Sequence, residues 1–181
     1  ASPEAKHGPP TAEIFISLGG VLLNNISELL DKSNIIILSL PTIPIFKEVI
    51  NEIELNGKSN EPKILIDMNT ISLDDKIETK NKLEKININM VDAPVSGTGA
   101  QAKVKDIVVM SSGDKIIIDE CEDIFKSFSK QNIFVCKFGN GIKFKILANL
   151  LVTVHNTVTA EALLLGQKAG LEEKMIYEVL N

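Results

Sequence analysis

The amino-acid sequence predicts an α/β fold, and three observations carry the prediction. Short apolar runs rich in Ile and Val recur along the chain, amphipathic segments separate them, and one much longer apolar segment follows the last run. Runs that are apolar at every residue suit strands buried on both faces, which is typical of a largely parallel sheet covered by helices. The alternation of strand and helix indicates a doubly wound sheet of the Rossmann type.

Each element of this prediction rests on a local pattern. The predicted strands are the five apolar runs at 34–40, 63–67, 86–95, 106–111 and 132–137. The predicted helices between them carry one apolar stripe at helical spacing and cover 45–55, 72–85 and 115–129. Ser72 followed by Asp75 resembles a capping box and marks the start of the second helix.

The last part of the chain predicts a helix of unusual length. Nothing between Gly141 and Ala169 breaks a helix decisively, since Gly166 costs only about 1 kcal/mol relative to Ala. About 29 residues rise roughly 40 Å, and a helix this long usually connects two bodies. Gly170 is expected to terminate this helix, and another helix is expected to begin at Glu172. We therefore expect one domain over residues 1–138 and a helical part over 139–181.

Charge and composition exclude several classes of function. The net charge is −5 and all nineteen cationic residues are lysines, so we expect no nucleic-acid partner. Without arginine, an anion must be held by Lys, backbone N–H groups or hydroxyls. The two cysteines, Cys121 and Cys136, have no metal-ligand spacing and are expected to be reduced, packed thiols. His7 and His155 stand alone, and His155 is expected to pack, so we expect no metal.

The N-terminus and the hydropathy pattern indicate whether the protein is secreted or inserted into a membrane. The first ten residues lack the basic and apolar regions of a secretory signal. No uninterrupted apolar run approaches the roughly twenty residues that span a membrane. We expect a soluble, cytoplasmic protein with no membrane partner.

The segment DAPVSGTG, residues 92–99, is the first candidate for chemistry. Ser96, Gly97 and Thr98 follow a predicted strand, and their N–H groups are open enough to hold a carboxylate. An ordinary turn explains the same residues equally well. The letters also match G-x-G-x-x-A, a dinucleotide fingerprint, but too few residues precede the strand at Asp106 for the three-turn helix that fingerprint opens.

The start of the long helix is the second candidate. Lys145 and Asn149 lie about 40° apart around the helix and about 6 Å along it, so both can contact one small polar substrate. Lys143 lies about 160° from Lys145 and is expected to be solvated. Lys145 can equally be a surface lysine, although the helix dipole disfavours cations at this end. Asn156 shares the face but lies about 16 Å further along, too far for the same molecule.

Five segments in this order resemble the β-hydroxyacid dehydrogenase family, which includes 3-hydroxyisobutyrate dehydrogenase, tartronate semialdehyde and succinic semialdehyde reductases and the larger 6-phosphogluconate dehydrogenase. The resemblance covers essentially Gly19 to Asn181. The segments are SLPT (39–42), DMNTIS (67–72), DAPVSGTG (92–99), GNGIKFKILANLL (139–151) and TAEALLLGQKAGL (159–171).

The resemblance implies roles for single residues. Lys145 takes the place of the catalytic acid/base, while Asn149 and the turn of Ser96, Gly97 and Thr98 take the places that bind substrate. The residues implied to line the cofactor, NAD or NADP, are Leu40, Pro41 and Thr70. The unperturbed lysine pKa of about 10.4 suits base work poorly, and burial and a positive nicotinamide would lower it.

The sequence also departs from the family's pattern. Thr98 stands where the turn has glycine, and Ala148 replaces the first residue of an Asn-Asn pair. The family's GxGxxG is absent, and SLGG at 17–20 does not replace it. The resemblance therefore implies a partial NAD(P)-binding domain over 1–138 whose first βαβ unit is missing. An interdomain helix and the start of a truncated all-α domain follow over 139–181.

Two functions remain open from the sequence. The first is an NAD(P)-dependent oxidoreductase that interconverts a small β-hydroxy acid and its semialdehyde or keto form, with a small carboxylate as substrate and a homo-oligomer as the full-length assembly. The second is a non-catalytic fragment or degenerate paralogue that cannot bind the cofactor alone, because the helix N-terminus for the pyrophosphate is missing. The substrate and the choice between NAD and NADP are not encoded in these motifs.

Overall fold

The computed structural model describes residues 12–57 and 61–180. His7 and the first ten residues, on which the expectation about a secretory signal rests, lie outside the described part. The described chain begins with two short helices that the sequence pattern did not predict, α1 (Ala12–Ser17) and α2 (Ile26–Lys32). Asn25 caps α2 by accepting a hydrogen bond from the Glu28 N–H group at 2.9 Å.

Three parallel strands form the first sheet, in the order β1-β2-β3. They are β1 (Ile35–Leu38), β2 (Lys63–Asp67) and β3 (Ile88–Asp92). The register pairs Leu38 with Asp67 and Asp67 with Asp92, so the carboxyl ends of the three strands lie side by side. Within the described residues β1 pairs with β2 alone.

A second three-stranded sheet continues from the first. Its strands are β4 (Val95–Ser96), β5 (Val108–Ser111) and β6 (Gln131–Phe134), with β4 antiparallel and β6 parallel to β5. The single strand predicted over 86–95 is therefore divided into β3 and β4, because Pro94 has no N–H group for a sheet ladder. An antiparallel bridge between Asp92 and Ser112, with N–O distances of 3.1 and 2.7 Å, joins the sheets.

Helices cover both faces of these sheets. They are α3 (Ile43–Asn56), α4 (Leu73–Glu84), α5 (Gly99–Lys103), α6 (Lys115–Glu120) and α7 (Glu122–Phe128). The single helix predicted over 115–129 is wrong, since it breaks at Cys121, whose N–H group bonds to the Ile118 carbonyl three residues back at 3.1 Å. Ser72 caps α4 as predicted, accepting from the Asp75 N–H group at 3.1 Å.

The hydrophobic core lies on both faces of β2, every residue of which is buried. Leu65 packs into a cluster with residues of α2, α3 and β1. Ile64 and Ile66 point the other way, into a cluster with Phe125 and Cys121. Successive side chains of a strand alternate between its faces, and here both faces are apolar. This is the pattern that predicted a sheet covered on both sides.

The long helix α8 runs from Asn140 to Lys168, and α9 (Glu173–Leu180) follows it. Gly166 does not interrupt α8, and Gly170 adopts φ +86° just after it ends, as expected of a helix stop. Past its first turn α8 has no buried residue, and His155 is exposed instead of packed. Cys136 is likewise exposed, so it is not the packed thiol that its residue type predicted, whereas Cys121 is buried.

By length and composition α8 is long and apolar enough to cross a membrane, and it is the one such helix among the described residues. Polar residues inside the helix, among them Asn149, Thr153 and His155, interrupt the apolar pattern, which is why the sequence showed no run of that length. A single helix of this kind is weak evidence, and the absence of a membrane partner stays a prediction.

Candidate functional site

A single cavity of about 520 Å³ brings the two candidate segments together. The turn after β4 supplies one wall and the second to fourth turns of α8 supply the other. All five residues expected to bind or convert the substrate line this cavity, namely Ser96, Gly97, Thr98, Lys145 and Asn149. The sequence placed Lys145 and Asn149 on one helix face, and the fold sets that face opposite the turn.

The backbone of the turn accepts only glycine at its centre. Gly97 has φ +143°, and a Cβ there would stand 2.6 Å from Ile107 Cγ2. The next residue, Thr98, caps α5. Its hydroxyl accepts from the Gln101 N–H group at 3.3 Å, and its own N–H group donates to Gln101 Oε1 at 2.9 Å. The Thr98 N–H group is therefore engaged within the turn, and a glycine at this position could not form this capping box.

Lys145 is half-buried in the wall of the cavity, and this burial lowers the pKa of its amine below the ordinary lysine value. Desolvation disfavours the charged ammonium, which is the physical cause of the shift. Lys143, on the opposite side of the helix, is exposed as expected. Asn149 is exposed to the cavity and to solvent.

A second ammonium group in the same cavity was missed in the sequence. Lys130, directly before β6, lines the cavity and forms an ion pair with Asp106 at 3.0 Å. The exposed pair contributes little to stability. Its position beside the turn gives the cavity a second cation in a chain without arginine. No local pattern marks Lys130, because only strand pairing brings it to this site.

The first turn of α8 is held by side chains from the sheets. The Ile142 N–H group donates to Asp92 Oδ2 at 2.9 Å, and the Gly141 N–H group donates to Ser112 Oγ at 3.0 Å. The Ser112 hydroxyl in turn donates to Asp92 Oδ2 at 2.9 Å. Gly139, at the cap position, has no side chain to offer. Asp92 and Ser112, which are remote from α8 in the sequence, therefore cap the helix that carries Lys145.

Gly141 allows this close approach. A Cβ at this position would lie 2.4 Å from the Met110 carbonyl oxygen, 2.9 Å from Asp92 Oδ2 and 3.0 Å from Pro94 Cδ. The start of α8 therefore packs directly on the junction between the two sheets. It can lie this close because glycine has no Cβ at position 141.

The residues expected to line the cofactor lie at the carboxyl ends of β1 and β2, outside the cavity. Leu40 and Pro41 follow β1, and Thr70 follows β2; Pro41 and Thr70 are exposed. Asn69 holds the first loop by accepting from the Leu40 N–H group at 2.6 Å. Ligands of open α/β sheets bind at this edge, so the three residues can hold part of a dinucleotide.

Other ligands find less support in the described residues. Within 12–57 and 61–180 no group of three or more His, Cys, Asp or Glu residues could hold a metal ion. Gly97 precedes α5 and Gly99 begins it, and this helix of five residues is shorter than the helix of a dinucleotide fingerprint. Gly19 and Gly20 follow a helix and not a strand.

Two family models match adjacent parts of the chain. The family model described as the NAD binding domain of 6-phosphogluconate dehydrogenase matches residues 6–139. The chain belongs to this family. A second model, NAD-binding of NADP-dependent 3-hydroxyisobutyrate dehydrogenase, matches residues 139–181. The resemblance to the β-hydroxyacid dehydrogenases is confirmed, and so is the expected cofactor class, NAD or NADP, at the level of the family.

Individual relatives extend along most of the chain. The 2-hydroxy-3-oxopropionate reductase of Escherichia coli K12 is 29 % identical over 175 residues, which is 94 % of this chain and 59 % of that protein. The mitochondrial 3-hydroxyisobutyrate dehydrogenase of Bos taurus is 28 % identical over 180 residues, 96 % of this chain and 52 % of that protein. The chain thus spans between about half and three fifths of these relatives.

A solved structure shows the same fold. The 3-hydroxyisobutyrate dehydrogenase of Mycobacterium tuberculosis, whose structure includes L-serine, superposes with a TM-score of 0.81 at 24 % identity. The match covers 91 % of this chain and 56 % of that one. The α/β fold of the Rossmann type, with a long helix after it, is therefore confirmed.

Proposed function

We propose that the protein is an NAD(P)-dependent oxidoreductase that interconverts a small β-hydroxy acid and the corresponding semialdehyde or keto acid. The observation that carries the proposal is the shared cavity, in which the turn of Ser96, Gly97 and Thr98 faces Lys145 and Asn149. Relatives named as 2-hydroxy-3-oxopropionate reductase and 3-hydroxyisobutyrate dehydrogenase support this class of substrate.

Binding of the substrate follows from the groups in the cavity. The Gly97 N–H group and the Ser96 hydroxyl would hold the carboxylate of the substrate. Lys130 adds positive charge to the same wall. Asn149 would orient the hydroxyl or carbonyl group by a hydrogen bond. These contacts fix the orientation of the reacting carbon, which is how binding lowers the entropic part of the barrier.

The proton transfer falls to Lys145. When bound, the nicotinamide cofactor supplies or accepts the hydride, and Leu40, Pro41 and Thr70 would help to hold it. In the reducing direction the Lys145 ammonium donates a proton to the carbonyl oxygen, which yields the alcohol. In the oxidising direction the neutral amine accepts the hydroxyl proton. Burial lowers the pKa of Lys145, so the neutral amine forms more easily near neutral pH.

Substitution of Lys145 tests the mechanism. General acid–base catalysis contributes about 10²–10⁴-fold, so Lys145→Ala should reduce kcat at least a hundredfold while cofactor affinity stays within a few-fold. Lys143→Ala on the exposed side of the same helix is the matched control and should leave kcat unchanged. The measurement is steady-state kinetics on the full gene product with small β-hydroxy acids. Equal losses in both variants would remove Lys145 from the mechanism.

A second proposal is that these residues alone do not bind a dinucleotide. It is favoured because no G-x-G-x-x-G turn lies between a strand and a helix in the described residues. Without such a helix N-terminus the pyrophosphate lacks its usual partner. Calorimetric titration of the 181-residue chain with NADH should then give no measurable heat of binding. Micromolar affinity would refute this second proposal and favour the enzyme.

A further inference from the structure

Lys76 is a charged residue buried without any solvent contact. It lies on the inner face of α4 together with Thr79 and Leu83, and its exposed fraction is 0 %. Its ammonium lies 2.5 Å from Asp67 Oδ2 and 2.9 Å from Asp92 Oδ1. Both carboxylates are also fully buried, at the adjacent ends of β2 and β3.

From Asp67 the contacts lead to the loop expected to line the cofactor. Asp67 Oδ1 accepts from the Asn69 N–H group at 3.0 Å and from Asn69 Nδ2 at 2.7 Å. Asn69 Oδ1 accepts from the Leu40 N–H group at 2.6 Å. The orientation of the Asp67 carboxylate therefore sets that of the Asn69 amide, and the amide sets the position of the Leu40 backbone.

From Asp92 the contacts lead to the helix that carries Lys145. Asp92 Oδ1 faces Lys76, while Asp92 Oδ2 accepts from the Ile142 N–H group at 2.9 Å. Ser112 extends the contact to Gly141. A rotation of the Asp92 carboxylate would shift both N–H partners in the first turn of α8. Lys145 lies one turn further along the same helix.

We infer that Lys76 is a positioning residue. It links the loop after β1, which contains Leu40 and Pro41, to the first turn of α8. One ammonium contacts two carboxylates, and each carboxylate orients one side of the site. Apolar residues of similar volume often serve stability as well as a buried ion pair does, so stability alone gives this cluster little reason to exist. The catalytic part of the inference, in which Lys76 acts through Lys145, rests on the proposed function.

Amide hydrogen exchange tests the structural link without a measurement of enzyme activity. In Lys76→Met the Leu40 and Ile142 amides should both exchange at least about tenfold faster, because both carboxylates lose their shared partner. The Ser129 amide, bonded to Phe125 in α7, should keep its rate. Acceleration at only one of the two sites, or equal acceleration at all three amides, would overturn the inference.

Lys82→Met is the matched control on the same helix. Lys82 is partly exposed and pairs with Glu78 at 3.0 Å at the surface. This variant should leave the exchange of Leu40 and Ile142 within about twofold of the native rate, since an exposed pair contributes little. A control that accelerates both amides as strongly as Lys76→Met would show that any lysine of α4 has the same effect, which contradicts the inference.

A combined variant covers the case in which Lys76→Met does not fold. Lys76→Met with Asp67→Asn removes one positive and one negative charge, so the buried net charge equals that of the native protein. The Ile142 amide should still exchange at least about tenfold faster in this variant, because Asp92 has lost the ammonium that orients it. A native exchange rate would show that Lys76 only balances charge, and the inference would fail.

A double-mutant cycle tests the action through Lys145 on the full gene product. Lys76→Met should lower kcat about tenfold, and the combination with Lys145→Ala should be no slower than Lys145→Ala alone. Losses that multiply would show that Lys76 does not act through Lys145. If no β-hydroxy acid or semialdehyde is converted by the native protein, the proposed function fails while the exchange experiment still decides the structural link.

Discussion

The replacement of Gly141 by alanine is the most direct test of how the site is built. A Cβ at this position would stand 2.4 Å from the Met110 carbonyl oxygen, and real Cβ atoms essentially never approach another heavy atom within 3.0 Å. The difference between these two distances is about 0.6 Å, so the first turn of α8 must move at least that far. The Met110 carbonyl cannot yield instead, because it belongs to β5 in the sheet.

The magnitude follows from this displacement. A misplacement of about 1 Å can cost about a hundredfold in rate, so a shift of about 0.6 Å should lower kcat by about tenfold or more. Overpacking typically costs about 1–3 kcal/mol. For a chain of this length each kcal/mol lowers Tm by about 2–4 °C. We expect Gly141→Ala to fold, to melt several degrees lower and to lose most of its activity.

Thermal unfolding and steady-state kinetics measure both effects, and Gly166→Ala is the control on the same helix. Its Cβ would meet the Ile176 Cδ1 methyl at 2.6 Å, the flexible end of a side chain that can turn away. This variant should retain native kcat. If folded Gly141→Ala keeps kcat within about twofold of native, the close contact of α8 with the sheets does not position the site.

Three further predictions concern single side chains. Ser96→Ala should raise KM more than it lowers kcat, because it removes a contact used throughout the reaction; a selective loss of kcat in steady-state assays would contradict this. Lys145→Met should raise Tm at pH 7, since burial lowers the folded pKa below the unfolded value and makes the ammonium costly. That gain should shrink as pH rises through the lowered pKa, and a gain that grows with pH in melting curves would refute it. Burial raises the pKa of Cys121 to about 11, so a thiol reagent at pH 8 should label exposed Cys136 at least about tenfold faster, as peptide mass spectrometry can show.

Local patterns in the sequence predicted most elements and failed where local signals were weak. The run at 63–67 forms β2 with the predicted bounds, and α8 ends before Gly170 as expected. The break at Cys121 was missed because the apolar stripe continues through it at helical spacing. The short helices α1 and α2 were missed as well, since six or seven residues give too little periodicity to recognise.

The residues of the site also fall into those that sequence patterns selected and those that they missed. The motif resemblance and the helical spacing selected the five residues that the fold brings into one cavity, and their roles stay predictions. The supporting residues could not be found by spacing, because Asp92 and Ile142 are 50 residues apart in the chain. Lys76 shares the buried face of α4 with Thr79 and Leu83, but its residue type predicts a solvent-exposed side chain. Only the folded arrangement shows what it contacts.

The position of Lys145 near a helix N-terminus, which is unfavourable for a cation, has a physical explanation under the proposed function. The helix dipole disfavours a cation at this end of a helix, and burial disfavours the ammonium of Lys145 and lowers its pKa. An acid/base lysine needs this shift, because its ordinary pKa is too high for proton transfer near neutrality. Asp92 and Ser112 provide the compensation by capping the first turn of α8, since a carboxylate at a helix N-terminus stabilises the helix. The helix start can thus be stable and well placed while the amine four residues later is easier to deprotonate.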